Sequence, residues 1–273
     1  MRRFKEFLLK GIVYLAVAIT VSCLVAILGF IIKTGYKHIS LDFLFSDYSA
    51  NGDGGIFPMI VTTVYMVLIS IVVATPIGIL AAIYLTEYAK QGKLVKIIRF
   101  ATESLSGIPS IVYGLFGSIF FVSYLKLGYS ILAGALTVSI IILPTIIRTT
   151  EEALKQVPQA YKEGSLGLGA TMFQTLYKVI VPSAIPGILV GVILSVGRVV
   201  GESAAILLTA GTVAKMPSSI FSSARTLTVQ SYLVTQESGN IGEATAIGIV
   251  LIVIILTINI IAKLVSKRLS KSH

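Results

Sequence analysis

Glu163-Gly164-Ser165, three residues, Gly169, nine residues, and then Val179-Ile180-Val181-Pro182: this stretch lies within residues 148–186, a long polar interval in a chain otherwise dominated by apolar runs. Pro158, Gly164 and Gly169 punctuate the interval into two short helices, because proline and glycine interrupt helical runs. The small side chains at Gly164, Ser165 and Gly169 let a helix bed closely into a cleft on another protein. Glu163 and the basic residues flanking it can pair at the rim of such a contact. These residue types suit a docking element; a plain amphipathic loop between spans is the alternative that composition alone leaves open.

On either side of it the composition is that of a membrane protein. Of 273 residues, 55% are hydrophobic and 12% charged, against about 25% charged in a soluble domain. The mean hydropathy is +0.94, more apolar surface than a soluble domain of this size could bury. Six apolar runs, at 11–32, 56–85, 105–125, 131–147, 187–209 and 244–262, come near the roughly 20 residues that a transmembrane helix needs. The expected fold is all-α and integral to the membrane, with six transmembrane helices in residues 11–262. A basic N-terminus at 1–10 and a basic tail at 263–273 flank it. The 22-residue first run exceeds the roughly 7–15 of a signal peptide, and no small-x-small cleavage pattern follows, so it reads as a retained anchor. Pro76 predicts a tilted or kinked second span, residues 126–130 a tight outer turn, and 105–125 a single third span shaped by Gly107 and Pro109. Among the outer segments, 33–55 ends in the turn signal Asn51-Gly52-Asp53-Gly54-Gly55, after an alternating stretch at 38–45 that suits the interface. Segment 210–243 is long enough to dip back or to face a partner.

The net charge of +10 is distributed at the ends of these runs, which sets a nucleic-acid partner aside. Alternate polar segments carry 16 and 5 Lys plus Arg, with Arg198 left over inside a span. Because basic loops stay inside, both termini and the segments 86–104 and 148–186 are expected to be cytoplasmic, in a multi-pass protein of the plasma or inner membrane.

Much chemistry is missing. A lone Cys23 and two histidines give no disulfide and no Cys/His metal site. No GxxxxGK[ST] phosphate loop is present, and Gly167-Leu-Gly169 followed by Ala-Thr-Met is not a dinucleotide fingerprint. No HExxH and no credible Ser/His/Asp set occurs. The chain is not expected to be an enzyme or to hold a cofactor, so energy for uphill movement has to come from elsewhere.

The docking stretch matches the spacing of the EAA motif of ABC importer permeases, E-A-A-x3-G-x9-I-x-L-P, with Gly164, Ser165, Val179 and Val181 as mild departures. The resemblance is closer still to PstA-type permease subunits of phosphate ABC importers. It is carried by Gly55-Ile-Phe-Pro-Met-Ile-Val-Thr-Thr, Thr75-Pro-Ile-Gly-Ile-Leu-Ala-Ala-Ile-Tyr-Leu-Thr-Glu-Tyr and Ser106-Gly-Ile-Pro-Ser-Ile-Val-Tyr-Gly-Leu-Phe-Gly. Leu143-Pro-Thr-Ile-Ile-Arg-Thr-Thr-Glu-Glu-Ala-Leu and Gly197-Arg-Val-Val-Gly-Glu-Ser-Ala-Ala add to it. The resemblance implies the MetI-like permease fold and phosphate as substrate. It also implies a heterodimer with a PstC-like permease, a PstB-like ATPase dimer on the cytoplasmic side and a PstS-like phosphate-binding protein outside. Glu163, Gly164, Ser165, Gly169 and Pro182 are then the ATPase-coupling residues.

Arg198 is the twelfth of 23 residues in the fifth run, about 16 Å along it and so near the bilayer centre. A charge there costs at least about 2.5–3.5 kcal/mol. Glu202, four residues on, is expected one turn along the same face, where the two charges offset that cost. Gly187, Gly191 and Ser195 share the face, with Gly197 and Gly201 beside it, so the polar stripe is expected to point inward. One role is a structural ion pair. The other is a substrate path through Arg198, Glu202 and Ser195. A guanidinium binds a phosphate oxygen pair in bidentate fashion, and a carboxylate can accept the proton of hydrogen phosphate, which sulfate lacks. An ion-driven secondary anion transporter, with the pair as proton relay, or a passive anion channel are the alternatives. The docking stretch argues against both, since such carriers dock no ATPase.

Overall fold

A computed structural model describes residues 2–49, 54–90 and 92–270, with side chains described from 9 to 264; Asn51, Gly52 and Asp53 of the expected outer turn lie outside the described residues. Among those described every regular element is a helix. It runs α1 (Arg2–Gly35), α2 (Leu41–Phe45), α3 (Phe57–Ile83), α4 (Lys93–Ser106), α5 (Ser110–Gly117) and α6 (Ile131–Lys155). Then follow α7 (Gln159–Gly167), α8 (Met172–Thr175), α9 (Val181–Gly201), α10 (Ala204–Thr209), α11 (Leu227–Leu233) and α12 (Ile241–Ser270).

Five stretches are long and apolar enough to cross a membrane: Leu9–His38, Phe57–Tyr88, Ile131–Lys155, Met172–Gly201 and Ile241–Leu264. The pair Lys93–Ser106 and Ser110–Tyr124, bent by 100°, makes a sixth where the two helices count as one broken span. The third expected span is corrected here. Leu105 and Ser106 finish α4, and the helix restarts only at Ser110. Pro109 cannot donate to the ladder and disfavours helical backbone at Ile108, so the span read from the sequence as one helix shaped by Gly107 and Pro109 is fully broken there. The Tyr113 hydroxyl spans it, donating to the Leu105 carbonyl at 2.7 Å. By contrast α3 passes through Pro76 unbroken. Its 32 residues with the π-helical turn Tyr84–Tyr88 reach about 48 Å, which requires tilt in a hydrocarbon layer of about 30 Å.

The core sits between α3, α6 and α9, with Met66, Ile131, Val138, Ile142, Ile146, Val199 and Val200 almost fully buried. Close approach is possible because Gly191 lies directly against Thr149 of α6, leaving no room for a Cβ. The helix α1 lies outside this core, packed along α12, and its described side chains, Cys23 included, are largely exposed. Within the alternating stretch 38–45, Leu41–Phe45 form the short helix α2, capped by Ser40, whose Oγ accepts from the Phe43 N–H at 3.0 Å. Segment 210–243 does dip back. The Ile131 and Leu132 N–H groups donate to the carbonyls of Ser222 and Ile220, and Ala224, Leu227, Val229 and Gln230 are buried.

Candidate functional site

The fifth span differs from its sequence reading at the residues that matter most. α9 stops at Gly201, and Glu202 is extended, with φ −76° and ψ 133°. Gly201 weakens the helix, and the Glu202 carboxylate offers an acceptor to the helix that follows. Its Oε1 accepts from the Ala205 N–H at 3.1 Å, and its carbonyl accepts from the Thr228 hydroxyl at 2.8 Å. Glu202 is therefore not one turn along the face that carries Arg198. The ion pairs among the described residues join Arg99 and Lys155 to Glu151, Arg148 to Glu103 and Glu152, and Lys162 to Glu87; none joins Arg198 to Glu202.

Arg198 lies in the last turn of α9 rather than at mid-helix, where a cation complements the carbonyl end of the helix. It is exposed on the flank of the single chain, within electrostatic reach of Tyr113 on α5. A Cβ on Gly197 or Gly201 would meet nothing within 4 Å, so this flank is open. Ser195 is turned the other way: it is fully buried and donates to the Gly191 carbonyl at 2.8 Å. Gly187 and Gly191 likewise face α6. The expected single stripe is thus two faces, one packed and one open, with Arg198 on the open one.

The docking stretch is shorter than the polar interval that contains it. α6 runs on to Lys155, so Arg148, Glu151 and Glu152 belong to its end rather than to the loop. They line a cleft of about 490 Å³ with Arg99, Glu103 and Lys155. α7 starts after Pro158. Glu163 is exposed and accepts from the Gln159 side chain at 2.8 Å, and Ser165 shares a 2.9 Å hydroxyl contact with Thr175. Gly169 makes the turn at φ +85°, a conformation that glycine adopts without strain. Thr171 and Gln174 then form a reciprocal cap that starts α8, and Pro182 stands in the first turn of α9. Gly164 and Gly167 have open space beside them. Leu168 is 91% exposed at the tip, with Phe173 and Tyr177 also exposed and their rings stacked 6.4 Å apart. These apolar side chains were missed in the sequence reading; large apolar residues within a polar loop were the available signal.

Helices long and apolar enough to cross a membrane, an exposed apolar loop at α7 and α8 and a polar break at the end of one span are the features that a membrane-embedded subunit of a transporter would carry. The family profile described as the binding-protein-dependent transport system inner membrane component matches residues 74–271, and the chain belongs to that family. It is 36% identical over 280 residues to the probable ABC transporter permease protein YqgI of Bacillus subtilis strain 168, covering 96% of this chain and 95% of that one. It is 38% identical over 210 residues to the phosphate transport system permease protein PstA of Pasteurella multocida strain Pm70, covering 77% and 75%. Among solved structures, a bacterial alginate ABC transporter in complex with an alginate pentasaccharide-bound periplasmic protein aligns with TM-score 0.67 at 16% identity over 98% of this chain and 95% of that one. The inward-facing MetNI methionine ABC transporter aligns with TM-score 0.60 at 19% identity over 79% and 94%. The fold is the MetI-like permease fold, and the chain is the permease subunit of an ABC importer, a class in which ATP hydrolysis lies in a separate subunit.

Proposed function

We propose that the chain is the PstA-type permease of a phosphate importer, paired with a PstC-like permease, driven by a PstB-like ATPase dimer and fed by a PstS-like phosphate-binding protein. The observation that carries this reading is the open, carboxylate-free guanidinium of Arg198 in a chain similar to PstA proteins. A planar guanidinium suits a phosphate oxygen pair, and a path that must release its cargo requires weak binding. Glu202, buried beside the break, supplies the carboxylate that tolerates hydrogen phosphate and disfavours sulfate. Ser195 does not face this path. α7, with Glu163, Gly164, Ser165 and Gly169, docks the ATPase, and Pro182 starts the helix that carries its motion inward. The basic-loop asymmetry supports cytoplasmic segments at 1–10, 148–186 and 263–273 in a cell-membrane protein. The test is ATP-driven uptake of radiolabelled phosphate into vesicles that hold the chain with its partners, with labelled sulfate as competitor. Phosphate accumulation that sulfate does not suppress is the expected result; accumulation of another solute alone overturns the substrate assignment.

A further inference from the structure

We infer that the Lys162–Glu87 ion pair is the strut that carries movement of the docking helix α7 into α3, and through α3 to the outer end of α9. This rests on the docking reading of α7. Lys162 Nζ lies 2.6 Å from Glu87 Oε2, across 75 residues of sequence. The two side chains are 34% and 9% exposed, so the pair is shielded in a way that weak surface pairs are not. Within the docking unit itself, α7 is tied by the Ser165–Thr175 contact to the arm that leads into α9.

Glu87 lies in the π-helical turn that prolongs α3 into one stretch, Phe57–Tyr88. Thr63 stands on the same rod, about 36 Å away. Its buried hydroxyl accepts the Leu227 N–H at 3.0 Å, at the start of α11. The neighbouring Thr228 donates to the Glu202 carbonyl at 2.8 Å, at the point where α9 stops. A line of one helix and three polar contacts therefore joins the docking arm to Glu202, four residues beyond Arg198. A packed helix moves as a unit, and the contacts at its two ends fix what it moves with. Without the strut, α7 follows the ATPase while α3 stays behind, and ATP is hydrolysed without transport.

The test uses the assembled complex with Cys23→Ser and a Ser203→Cys reporter beside the break. Glu87→Gln and Lys162→Met are compared with the charge exchange Glu87→Lys/Lys162→Glu. Glu87→Gln, which leaves α7 itself untouched, is expected to co-purify the ATPase and to hydrolyse ATP at the parental rate. Phosphate moved per ATP falls at least about five-fold, the lower edge of ordinary coupling between sites. The ATP-dependent change in thiol-reagent reactivity at residue 203 is lost, and the exchange restores both. The thiol readout needs no phosphate, so an error in the substrate assignment silences uptake and leaves this signal intact. A parental ratio and reactivity change in the single variants overturns the strut. So does loss of the ATPase from Glu87→Gln, or an exchange variant no better than either.

Discussion

Glu202 turns its carboxylate onto the Ala205 N–H at 3.1 Å, while Arg198, four residues earlier, ends α9 exposed and without an acidic partner among the described residues. The two charges serve two helix ends, one a carbonyl end and the other an amide end, instead of each other. Arg198 is consequently available to an anion.

The variant Arg198→Gln should assemble at the parental level and lose phosphate uptake. Arg198→Lys keeps the charge but loses the planar fork, and should be severely impaired as well. Because no ion pair joins the two residues, the stability effects of Arg198→Gln and Glu202→Gln should add to within about 0.5 kcal/mol. Thermal unfolding of the purified complexes measures this; a larger interaction energy would reinstate the pair. Glu202→Ala removes the acceptor for Ala205 and should cost about 1 kcal/mol more than Glu202→Gln.

The packed face of α9 makes a contrasting prediction. Gly191→Val forces side-chain atoms into Thr149 of α6, and overpacking of this kind costs about 1–3 kcal/mol. Gly197→Ala meets open space and removes a glycine from a helix interior, so it should hold or slightly raise the thermal midpoint. Equal midpoints for the two variants would mean that α6 and α9 are not in contact as described.

Docking is tested at a position where the isolated chain is indifferent. Gly164 has nothing within 4 Å, so Gly164→Asp should insert and fold normally while the ATPase no longer co-purifies. Leu168→Asp, at the exposed tip, should act in the same way. Normal assembly and uptake in both variants would remove α7 from the ATPase contact.

Orientation is read from single cysteines in a Cys23→Ser background. A thiol reagent that cannot cross membranes should label Ser238→Cys in intact cells and leave Gln156→Cys unlabelled. Both positions are exposed in the chain, so burial does not account for a difference. The reverse pattern would invert the topology.

The long apolar runs and the docking stretch were legible because each rests on local rules: span length, glycine and proline punctuation, and motif spacing. The break at Glu202 was not, since Gly201-Glu202-Ser203 inside an apolar run satisfies helical periodicity as well as it satisfies a stop and a new start. The decision is made by partners distant in sequence, such as Thr228, whose hydroxyl holds the Glu202 carbonyl. Pro109 and Pro76 show the same limit. The first breaks its helix and the second does not, although both sit in apolar stretches. Lys162 and Glu87 lie 75 residues apart, and nothing local to either residue announces the other.

The filled centre of the bundle bears on how cells tolerate this protein. Met66, Ile131, Val138, Ile142 and Val199 close the space between α3, α6 and α9, and the folded-back outer segment covers it with Leu227 and Val229. A lone copy is thus a wall rather than a pipe: Arg198 stands open on its flank, and on the proposed pairing with a second permease a conduit would form only between the two. Surplus copies awaiting assembly should therefore leave the membrane sealed, which proton-leak measurements on cells that express the chain alone would check.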